Sequence, residues 1–368
     1  MIKKLEITPL GEWGMFSDPQ PSVVAGPCSA ETEEQVMKTA EALKELGINV
    51  FRAGIWKPRT HPGCFEGIGV PGLKWLQKAK SEYGLKVSTE VASEKHVREC
   101  LKHGVDMVWI GARTTANPFL VQEIADALSG TDIPVLVKNP VNPDLELWIG
   151  ALERLSRAGI KKLGVIHRGF STFDNIRYRN EPHWEIAIEM RSRYPELPFF
   201  VDPSHMGGSR DYILEISQRS LDLGFDGLMV ESHCTPETAL SDSRQQLTPA
   251  QLKDLLHNQI AVRDADSDAK EWKDNIEQLR AKIDVLDENL IYTLGSRMKV
   301  SRQIGEYKKN NNVAIVQAVR WDALLDKVVE IGYKHGLSKK FLTDVFNAIH
   351  EASVEAQNEI ISDKSSER

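Results

Sequence analysis

Functional side chains follow eight short apolar runs of the sequence, each close to the point where the run ends. They are Cys28 and Ser29, Arg52 and Lys57, Glu90, Arg113, Lys138, His167 and Arg168, Asp202 and His205, and Glu231. In a barrel of parallel strands, the C-terminal ends of the strands carry the active site. Functional groups at the same end of every run therefore predict one shared site of catalysis.

Basic side chains form the first group within this set. Its members are Arg52, Lys57, Arg59, Arg113, Lys138 and Arg168. Several like charges gathered in one place are costly without anions, and the arginine fork matches phosphate and carboxylate groups bidentately. The group therefore predicts phosphorylated ligands that carry at least one carboxylate.

A second group combines one thiol, one imidazole and two carboxylates, from Cys28, His205, Glu231 and Asp242. Such a mixed donor set suits a divalent transition metal without strong selectivity, so Mn, Fe, Co, Zn and Cu all stay open. Each residue also has an ordinary structural interpretation: Cys28 as a small buried side chain, His205 as a hydrogen-bonded core histidine, Glu231 as the ion-pair partner of an arginine. The metal site is predicted because the residues fall at the same end of one barrel.

The apolar runs that position these groups begin at residues 23, 49, 86, 107, 134, 162, 198 and 227. Their centres lie about 30 residues apart, the length of one strand–helix unit. Amphipathic segments such as 31–47 and 144–159 lie between them and close on a glycine. Eight such units in residues 1–258 predict an α/β TIM barrel, (β/α)8, because a doubly wound sheet usually has fewer strands.

Residues 259–271 interrupt the apolar period with aspartates and small residues, which predicts a linker. Residues 272–361 then follow a helical period, with one long helix over 274–309, a second over 318–335, a third from Ser338 to Ile361, and a frayed tail at 362–368. Such helices cannot bury their apolar seam alone. We therefore expect an all-α three-helix domain that packs on the barrel or dimerises, giving a homodimer or a higher oligomer.

The composition argues against several classes of function. The 368 residues carry a net charge of −7, which gives no indication of the basic surface that binds nucleic acid. No apolar run approaches the ~18 residues that a membrane span needs, and the first residues lack the apolar core of a signal peptide. Four widely spaced cysteines form no CxxC pair, so we expect reduced thiols in a cytoplasmic protein without nucleic-acid or membrane partners.

Eight motifs follow one another along the predicted barrel: GPCS (26–29), FRAGIWKPRT (51–60), STEV (88–91), IGAR (110–113), LVKNP (136–140), HRG (167–169), DPSH (202–205) and ESH with ALSD (231–242). This ordered set resembles the type I-beta 3-deoxy-D-arabino-heptulosonate 7-phosphate (DAHP) synthases. The resemblance implies a (β/α)8 barrel that condenses phosphoenolpyruvate with erythrose 4-phosphate and opens the shikimate pathway. It also implies a divalent metal ion acting as a Lewis acid.

The resemblance further implies a role for each matching residue. Phosphoenolpyruvate would be held by Arg52, Arg113, Lys138 and Arg168. Erythrose 4-phosphate would be held by Lys57, Arg59 and Thr60, and the metal by Cys28, His205, Glu231 and Asp242. We expect catalytic roles for Lys57, Glu90, Lys138 and His167, with Glu90 and Lys138 as alternative residues for handling the water or a proton. One segment departs from the family, since KPRTHPGCF replaces the common KPRTSPYSF at the sugar-phosphate rim.

Two cations fall on the apolar seam of the long helix. Arg297 and Lys308 lie eleven residues apart, about three turns, and so share a face. An unpaired cation in a seam costs several kcal/mol, while the ordinary alternative is a solvated or snorkelling side chain. Arg280 lies ~25 Å from Arg297 at 1.5 Å per residue, too far to share one small ligand within a chain.

This helical tail resembles the all-α chorismate mutases, in which two long helices pair antiparallel and an arginine of one chain completes the pocket of the other. The matching positions are Arg280, Arg297, Lys308, Arg320, Ser353 and Gln357. The resemblance implies that the arginines hold the two carboxylates of chorismate, that Lys308 and Gln357 bind its ether oxygen, and that prephenate is the product. Trp321 stands where the family usually has a glutamate that contacts the substrate hydroxyl, and Gln317 where it has an aspartate.

These observations lead to one main hypothesis: a bifunctional enzyme whose mutase domain also senses chorismate or prephenate and restrains the barrel. A second hypothesis makes the helical domain a non-catalytic module for dimerisation and ligand sensing, and Trp321 supports it. A third keeps the barrel but takes arabinose 5-phosphate, as in the related 3-deoxy-octulosonate 8-phosphate synthases. Those enzymes carry a KAN-type motif where this chain has KPRT.

Overall fold

The computed structural model describes residues 5–16, 21–58, 63–172, 177–262, 270–315 and 318–362, with the backbone alone at 270–275, 277–278, 281–282, 318–320 and 322–323. The chain divides into two compact units, Met1–Ala265 and Asp266–Arg368, and the division falls inside the predicted linker. The domain limits at 258, 272 and 361 stay predictions. Arg59, Thr60 and Gln317 lie outside the described residues, and Arg320 is described by its backbone only.

The first unit is a closed barrel of eight parallel strands, each paired with the next and the last with the first. The strands are β1 (Ser22–Gly26), β2 (Val50–Arg52), β3 (Lys86–Val91), β4 (Met107–Ile110), β5 (Val135–Lys138), β6 (Leu163–His167), β7 (Phe199–Val201) and β8 (Gly227–Glu231). Every strand coincides with one of the apolar runs of the sequence. The predicted TIM barrel is therefore confirmed.

Helices alternate with the strands along the chain. They are α1 (Glu33–Glu45), α2 (Val70–Tyr83), α3 (Glu94–Lys102), α4 (Ala112–Thr115), α5 (Pro118–Leu128), α6 (Leu145–Arg157), α7 (Trp184–Arg193), α8 (Pro203–Gly207), α9 (Ile213–Asp222) and α10 (Pro249–Asp254). Side-chain caps begin several of them, since Thr32 accepts from Gln35 N before α1 and Asp144 accepts from Leu147 N before α6. Such caps satisfy backbone donors that a helix start leaves unpaired.

Two sets of side chains alternate along the strands, because successive residues of a strand point to opposite faces. One set packs inside the barrel and comprises Val24, Val50, Met107, Trp109, Leu136, Ile166, Phe200 and Met229. The other packs against the helices and includes Ala25, Phe51, Val108, Val137, Val165, Val201 and Val230. The alternation decides which residues at the strand ends point into the barrel.

Residues before β1 fill the lower end of the barrel, a feature that the sequence did not indicate. A 3-10 helix, Leu10–Trp13, places Trp13 among the interior side chains together with Met15. Thr8 N donates to Lys161 O, 2.9 Å away, just before the start of β6. The opposite end, where the strands finish, is left to form the site.

The second unit consists of three helices among the described residues, α11 (Lys270–Asn310), α12 (Ala318–Lys334) and α13 (Lys339–Ser362). This confirms the predicted all-α three-helix domain. Ser338 Oγ accepts from Phe341 N at 3.2 Å, as expected for a residue that caps α13. In the described part of the chain, no helix is long and apolar enough to cross a membrane.

A glycine sets the distance between α11 and α13. A Cβ at Gly305 would lie 3.1 Å from Gln357 Cα and 3.2 Å from its Cγ, which is tighter than ordinary van der Waals contact. The two helices can therefore meet here because position 305 has no side chain. One turn later, Lys309 Nζ donates to Ile360 O at 3.1 Å. Gln357 is thus held directly against α11.

Candidate active sites

The strand pleat directs functional side chains into one mouth of the barrel. Each of them stands two residues beyond an interior residue of its own strand and so points inward as well. This relation holds for Arg52, Lys138, Arg168, Asp202 and Glu231. Glu90 has the same phase on β3, where Val87 and Val91 face the helices.

Four potential metal ligands converge at this mouth. The donor atoms of Cys28, His205, Glu231 and Asp242 all lie within 4.8 Å of one another. Cys28 Sγ is 3.2 Å from Asp242 Oδ2, and His205 Nε2 is 3.5 Å from Glu231 Oε1. Donor atoms that share one ion at ~2.0–2.3 Å need such close spacing. The cluster therefore fits a single divalent transition metal ion.

The electrostatics of the cluster also favour a bound cation. Glu231 is fully buried, and its Oε1 accepts no hydrogen bond from the described residues, although Arg52 Nη2 lies 3.3 Å away. Burial, and then the nearby Glu231 carboxylate, raise the pKa of the Cys28 thiol to about 12. Coordination would stabilise the thiolate and supply the missing partner of the carboxylate, because metal ligands bind in their deprotonated form.

Asp202, one of the functional side chains at the strand ends, holds His205 in place. Its Oδ2 lies 2.7 Å from both His205 Nδ1 and Lys138 Nζ, and its Oδ1 accepts from His205 N at 3.0 Å. His205 Nε2 is thereby left facing Glu231. A carboxylate behind a ligating histidine fixes the tautomer and orientation of the ring. The signal was present in the DPSH motif, where Asp202 directly follows β7.

Arg179 holds Asp242, and no motif pointed to it. Asp242 has a φ of 48°, which is uncommon for a residue with a side chain. Arg179 Nη1 donates to Asp242 Oδ1 and to Gln245 Oε1, both at 3.0 Å. Burial alone would raise the pKa of Asp242, but the charges of His205 and Arg179 outweigh burial and lower it well below its ordinary value. Arg179 lies between β6 and α7, outside every apolar run, so no sequence pattern singles it out.

Buried carboxylates neutralise part of the basic group, so Arg52 and Lys138 do not require an anionic ligand to balance their charge, contrary to the expectation from the sequence. Lys138 Nζ is 2.7 Å from Asp202 Oδ2, and Arg52 Nη2 is 3.3 Å from Glu231 Oε1. Both cations also lie over the Trp109 ring, with Arg52 Cζ at 4.8 Å and Lys138 Nζ at 5.9 Å from its centroid. Arg52 Nε and Nη1 are buried without a hydrogen-bond partner among the described residues. These two donors are available to an anionic ligand.

Lys57 reaches the metal-ligand cluster from the segment after β2. Its Nζ is 3.0 Å from Cys28 Sγ. Gly54 permits this approach, because a Cβ there would lie 3.0 Å from Lys57 Cδ and 2.6 Å from Cys28 O. The expected erythrose 4-phosphate contacts of Arg59 and Thr60 lie outside the described residues.

Three further predicted residues surround the same mouth. Glu90 Oε2 accepts from Trp109 Nε1 at 3.0 Å. Arg168 Nη1 donates to Asn180 Oδ1 at 2.6 Å, and burial lowers the pKa of Arg168 to about 10. Arg113 follows β4 on the short helix α4 and is exposed. The structure thus brings most of the predicted set to one end of the barrel.

His167 lies away from this mouth, contrary to expectation. It is one residue out of phase with the interior Ile166, so the pleat turns its ring toward the helices. The ring packs among Trp148, Phe170 and Trp184, at centroid distances of 6.2, 5.6 and 5.4 Å. Burial lowers its pKa to about 3, which keeps the imidazole neutral. This position does not support a catalytic role for His167.

A second candidate site is a cavity of about 230 Å³ in the helical unit. Its polar lining includes Arg297, Ser301, Lys308, His350, Ser353 and Gln357. Four of the six residues predicted for the mutase site are therefore together here. Arg280 is exposed on α11 and does not line the cavity. The side chain of Arg320 is not among the described side chains.

Cations and neutral polar groups line this cavity, with no carboxylate among its described lining residues. Arg297 Nη1 donates to Ser353 Oγ, and Lys308 Nζ donates to Ile315 O. Gln357 Oε1 is buried and has no hydrogen-bond partner in the described part of the chain. Burial lowers the pKa of Arg297. The arrangement favours a small anionic ligand.

An aromatic pair forms one wall of the cavity. Trp321 stacks on His350 with ring centroids 4.2 Å apart and an interplanar angle of 25°. The sequence identified Trp321 as a departure from the mutase pattern, but His350 belongs to no quoted motif. A stacked aromatic pair thus lies where the resemblance to the mutases predicts a carboxylate.

Comparison with known proteins gives two family matches on this chain. Residues 14–266 match the DAHP synthetase I family, and residues 279–358 match chorismate mutase type II. A phospho-2-dehydro-3-deoxyheptonate aldolase of Thermotoga maritima is 35% identical over 244 residues, covering 66% of this chain and 70% of that protein. A 2-dehydro-3-deoxyphosphooctonate aldolase of Wolinella succinogenes is 27% identical over 270 residues, covering 65% of this chain and 98% of that protein.

Solved structures agree with these matches. The crystal structure of the Thermotoga maritima DAHP synthase superposes with a TM-score of 0.58 at 35% identity, covering 64% of this chain and 67% of that one. A truncated form of the Thermotoga enzyme gives a TM-score of 0.56 at 33% identity, covering 64% of this chain and 83% of that one. The chain therefore belongs to the DAHP synthetase I family, and its residues 279–358 match the chorismate mutase type II family.

Proposed function

We propose that the barrel condenses phosphoenolpyruvate with erythrose 4-phosphate at its mouth, with a divalent metal ion held by Cys28, His205, Glu231 and Asp242. The observation that carries the proposal is the convergence of these four donors within 4.8 Å. Further support comes from Arg52, which is buried beside them with two donors that have no partner among the described residues. Thiolate, imidazole and carboxylates together suit a transition metal better than Mg or Ca, which prefer oxygen ligands alone.

In this proposal, the cations of the mouth bind and align the two substrates. The carboxylate and phosphate of phosphoenolpyruvate are held by Arg52, Arg113, Lys138 and Arg168. Lys57, with Arg59 and Thr60, holds erythrose 4-phosphate. Both substrates are anions that repel each other in water, so fixing them side by side converts a bimolecular encounter into an effectively unimolecular step.

The reaction joins C3 of phosphoenolpyruvate to the aldehyde carbon of erythrose 4-phosphate, after which water adds at C2 and phosphate leaves. When bound, the metal ion supplies Lewis-acid polarisation of the aldehyde oxygen. Two residues are candidates for handling the water or a proton. Glu90 is oriented by Trp109 Nε1 at 3.0 Å, and Lys138 is paired with Asp202 at 2.7 Å.

The test is the consumption of phosphoenolpyruvate by the purified, metal-loaded protein with erythrose 4-phosphate as second substrate. We expect rapid consumption that a chelator abolishes and that added metal restores. Arabinose 5-phosphate serves as the control acceptor, because the octulosonate relatives share this barrel. Turnover with arabinose 5-phosphate alone would reassign the sugar, and chelator-resistant turnover would exclude the metal.

We also propose that the helical cavity rearranges chorismate to prephenate. Arg297 would bind a carboxylate, while Lys308 and Gln357 would bind the ether oxygen as it gains negative charge. The rearrangement breaks a C–O bond and forms a C–C bond within chorismate and needs no covalent intermediate with the protein, so a preorganised set of donors in a small cavity is sufficient. Arg280 and Arg320 complete the predicted set, with Arg280 supplied by a partner chain. This proposal is preferred over a purely sensory domain because the catalytic positions Lys308 and Gln357 both line the cavity.

The partner chain is proposed to cover the first half of α11. Four apolar residues at heptad spacing, Leu279, Ile283, Leu286 and Leu290, are 54%, 55%, 65% and 56% exposed. Burying each such side chain is worth ~1.5–3 kcal/mol, so an antiparallel copy of α11 would gain a substantial interface.

Replacing Ile283 and Leu290 by Glu is expected to dissociate this dimer. Charged residues in the seam would be costly to bury, and loss of the partner's arginine would lower the mutase rate as well. Sedimentation velocity of the variant should give the mass of one chain. Tyr333→Glu, at a residue 64% exposed on α12 outside the stripe, is the matched control. A double variant that keeps the dimer mass would contradict the assignment of this face.

Feedback regulation is the last part of the proposal. The two reactions lie on one biosynthetic route to aromatic compounds. Occupancy of the helical cavity by a product would therefore rise with the concentration of that product. Prephenate at saturating concentration is expected to lower the initial rate of phosphoenolpyruvate consumption. An Arg297→Ala variant should lose this sensitivity, because it lacks a cation of the cavity. Equal rates with and without prephenate would rule the restraint out.

A further inference from the structure

A second pocket lies on the barrel unit, outside the set of residues assigned to catalysis. Its volume is about 330 Å³, and it is bounded by the first turns of α1 and by the segment after β8. The titratable side chains that line it are Glu31, Glu34, Lys38, His233 and Cys234. Cys234 is half-buried and so opens onto this pocket.

A thiol, an imidazole and a carboxylate follow one another in space along the pocket wall. Cys234 Sγ is 4.0 Å from His233 Nδ1, and His233 Nε2 is 3.9 Å from Glu31 Oε2. His233 is only 2% exposed, and its Nε2 has no hydrogen-bond partner among the described residues. Thr235 N also donates to His233 Nδ1 at 2.9 Å. A thiol beside an imidazole that is in turn faced by a carboxylate is an arrangement that activates thiols, since a neighbouring imidazolium stabilises the thiolate. The His233 ring lowers the pKa of the Cys234 thiol to about 7, in support of this geometry.

The other cysteines have different surroundings. Cys100 is buried in the core, and burial raises its pKa to about 12. Cys28 is buried within the metal-ligand cluster. Cys64 is exposed, which makes it the competing accessible thiol. Within the described part of the chain, Cys234 combines access with a neighbouring imidazole and a pocket that can hold a reagent.

We propose that Cys234 is a modification site that reacts with low-molecular-weight disulfides. The Cys234 sulfur attacks one sulfur of the disulfide and forms a mixed disulfide, while the S–S bond of the reagent breaks. The second sulfur leaves as a thiolate and takes up the proton that Cys234 gives off. The reagent is itself the oxidant, so the step needs no further electron acceptor.

The pocket also connects to the metal-ligand cluster, so this part of the inference rests on the proposed role of Asp242. Glu31 Oε1 accepts from Leu240 N at 2.8 Å, two residues before Asp242. Ser241 Oγ, one residue nearer, is 2.6 Å from Ser29 Oγ, next to Cys28. A group attached to Cys234 would press on Glu31 and Leu240. We therefore expect modification to displace Asp242 and weaken metal binding.

The reactivity is tested with 2,2′-dithiodipyridine on the full-length, metal-loaded protein at neutral pH, by following thiopyridone release. In a Cys64→Ser background we expect one rapid phase, at least ~10-fold faster than a simple free thiol. Peptide mass spectrometry should place it at Cys234. The phase should vanish in Cys64→Ser/Cys234→Ser and slow several-fold in Cys64→Ser/His233→Asn. A Cys234 that reacts no faster than the free thiol would overturn the proposal.

The connection to the metal is tested by titrating Co²⁺ into the metal-free Cys64→Ser protein before and after modification, with the thiolate absorption band as readout. Modification is expected to weaken Co²⁺ affinity at least ~5-fold, and dithiothreitol should restore it. Unchanged affinity would overturn the connection while leaving the reactive thiol standing. Failure of the unmodified protein to bind Co²⁺ would instead overturn the proposed metal site and, with it, the connection.

Discussion

Replacing Cys28 by Ala is expected to lower the synthase rate by about 1000-fold. Cys28 contributes the only sulfur of the proposed donor set, and its Sγ also contacts Asp242 Oδ2 at 3.2 Å and Lys57 Nζ at 3.0 Å. Lewis-acid assistance supplies several kcal/mol of transition-state stabilisation. Since each 1.36 kcal/mol is a tenfold change in rate, losing ~4 kcal/mol corresponds to about 1000-fold.

The second activity of the chain provides the internal control for Cys28→Ala. The mutase rate should stay within about twofold of the parent, because the substitution lies in the other compact unit. Cys234→Ala removes a thiol from outside the donor set and should leave both rates nearly unchanged. Metal content, measured by elemental analysis, should fall in Cys28→Ala only. Parental metal content and synthase rate in Cys28→Ala would exclude this residue as a ligand.

Replacing Lys308 by Met is expected to reduce the mutase rate by about 100- to 1000-fold, the usual effect of removing one preorganised donor. Lys308 lines the helical cavity and donates to Ile315 O at its edge. Methionine keeps most of the side-chain volume and removes the charge, so the helix should remain intact. The measurement is chorismate consumption by the full-length variant.

Lys309 offers a matched control for Lys308. It is the next residue on α11, and its Nζ also donates to a backbone carbonyl, Ile360 O, at 3.1 Å. Lys309 does not line the cavity. Lys309→Met should therefore keep the mutase rate within a few-fold, and both variants should keep the synthase rate. Equal losses in the two variants would mean that the helix, rather than the cavity, was damaged.

The barrel was predictable because its signals are local. A β-branched run, a turn and an amphipathic segment recur through the first unit, and each run became a strand. Three members of the proposed metal-ligand cluster, Cys28, His205 and Glu231, followed from the same logic, since strand ends converge in space, whereas Asp242 lies in the loop after β8. In the tail, the helical period alone put Arg297 and Lys308 on one face, and both line one cavity.

Other features depended on information that single segments do not contain. His167 shows this most clearly, because the end of its run was visible but the phase of the pleat was not. Which alternate residues of a strand face inward is decided when the eight strands close around a shared interior. On β6, Ile166 faces inward and His167 does not. Arg179 could not be selected because it lies in a segment without a period. The carboxylate partners of Arg52 and Lys138 come from strands that are distant in sequence.

The close approach of α11 and α13 at Gly305 has a consequence for how this domain can change over time. An added Cβ would press on the backbone of Gln357, a residue that faces the mutase cavity. A substitution at position 305 would therefore reshape the site by displacing Gln357, although position 305 does not itself line the cavity. Position 305 is therefore expected to stay glycine as the sequence diverges. New specificities in the cavity are more accessible at its wall, at positions such as Trp321 and His350.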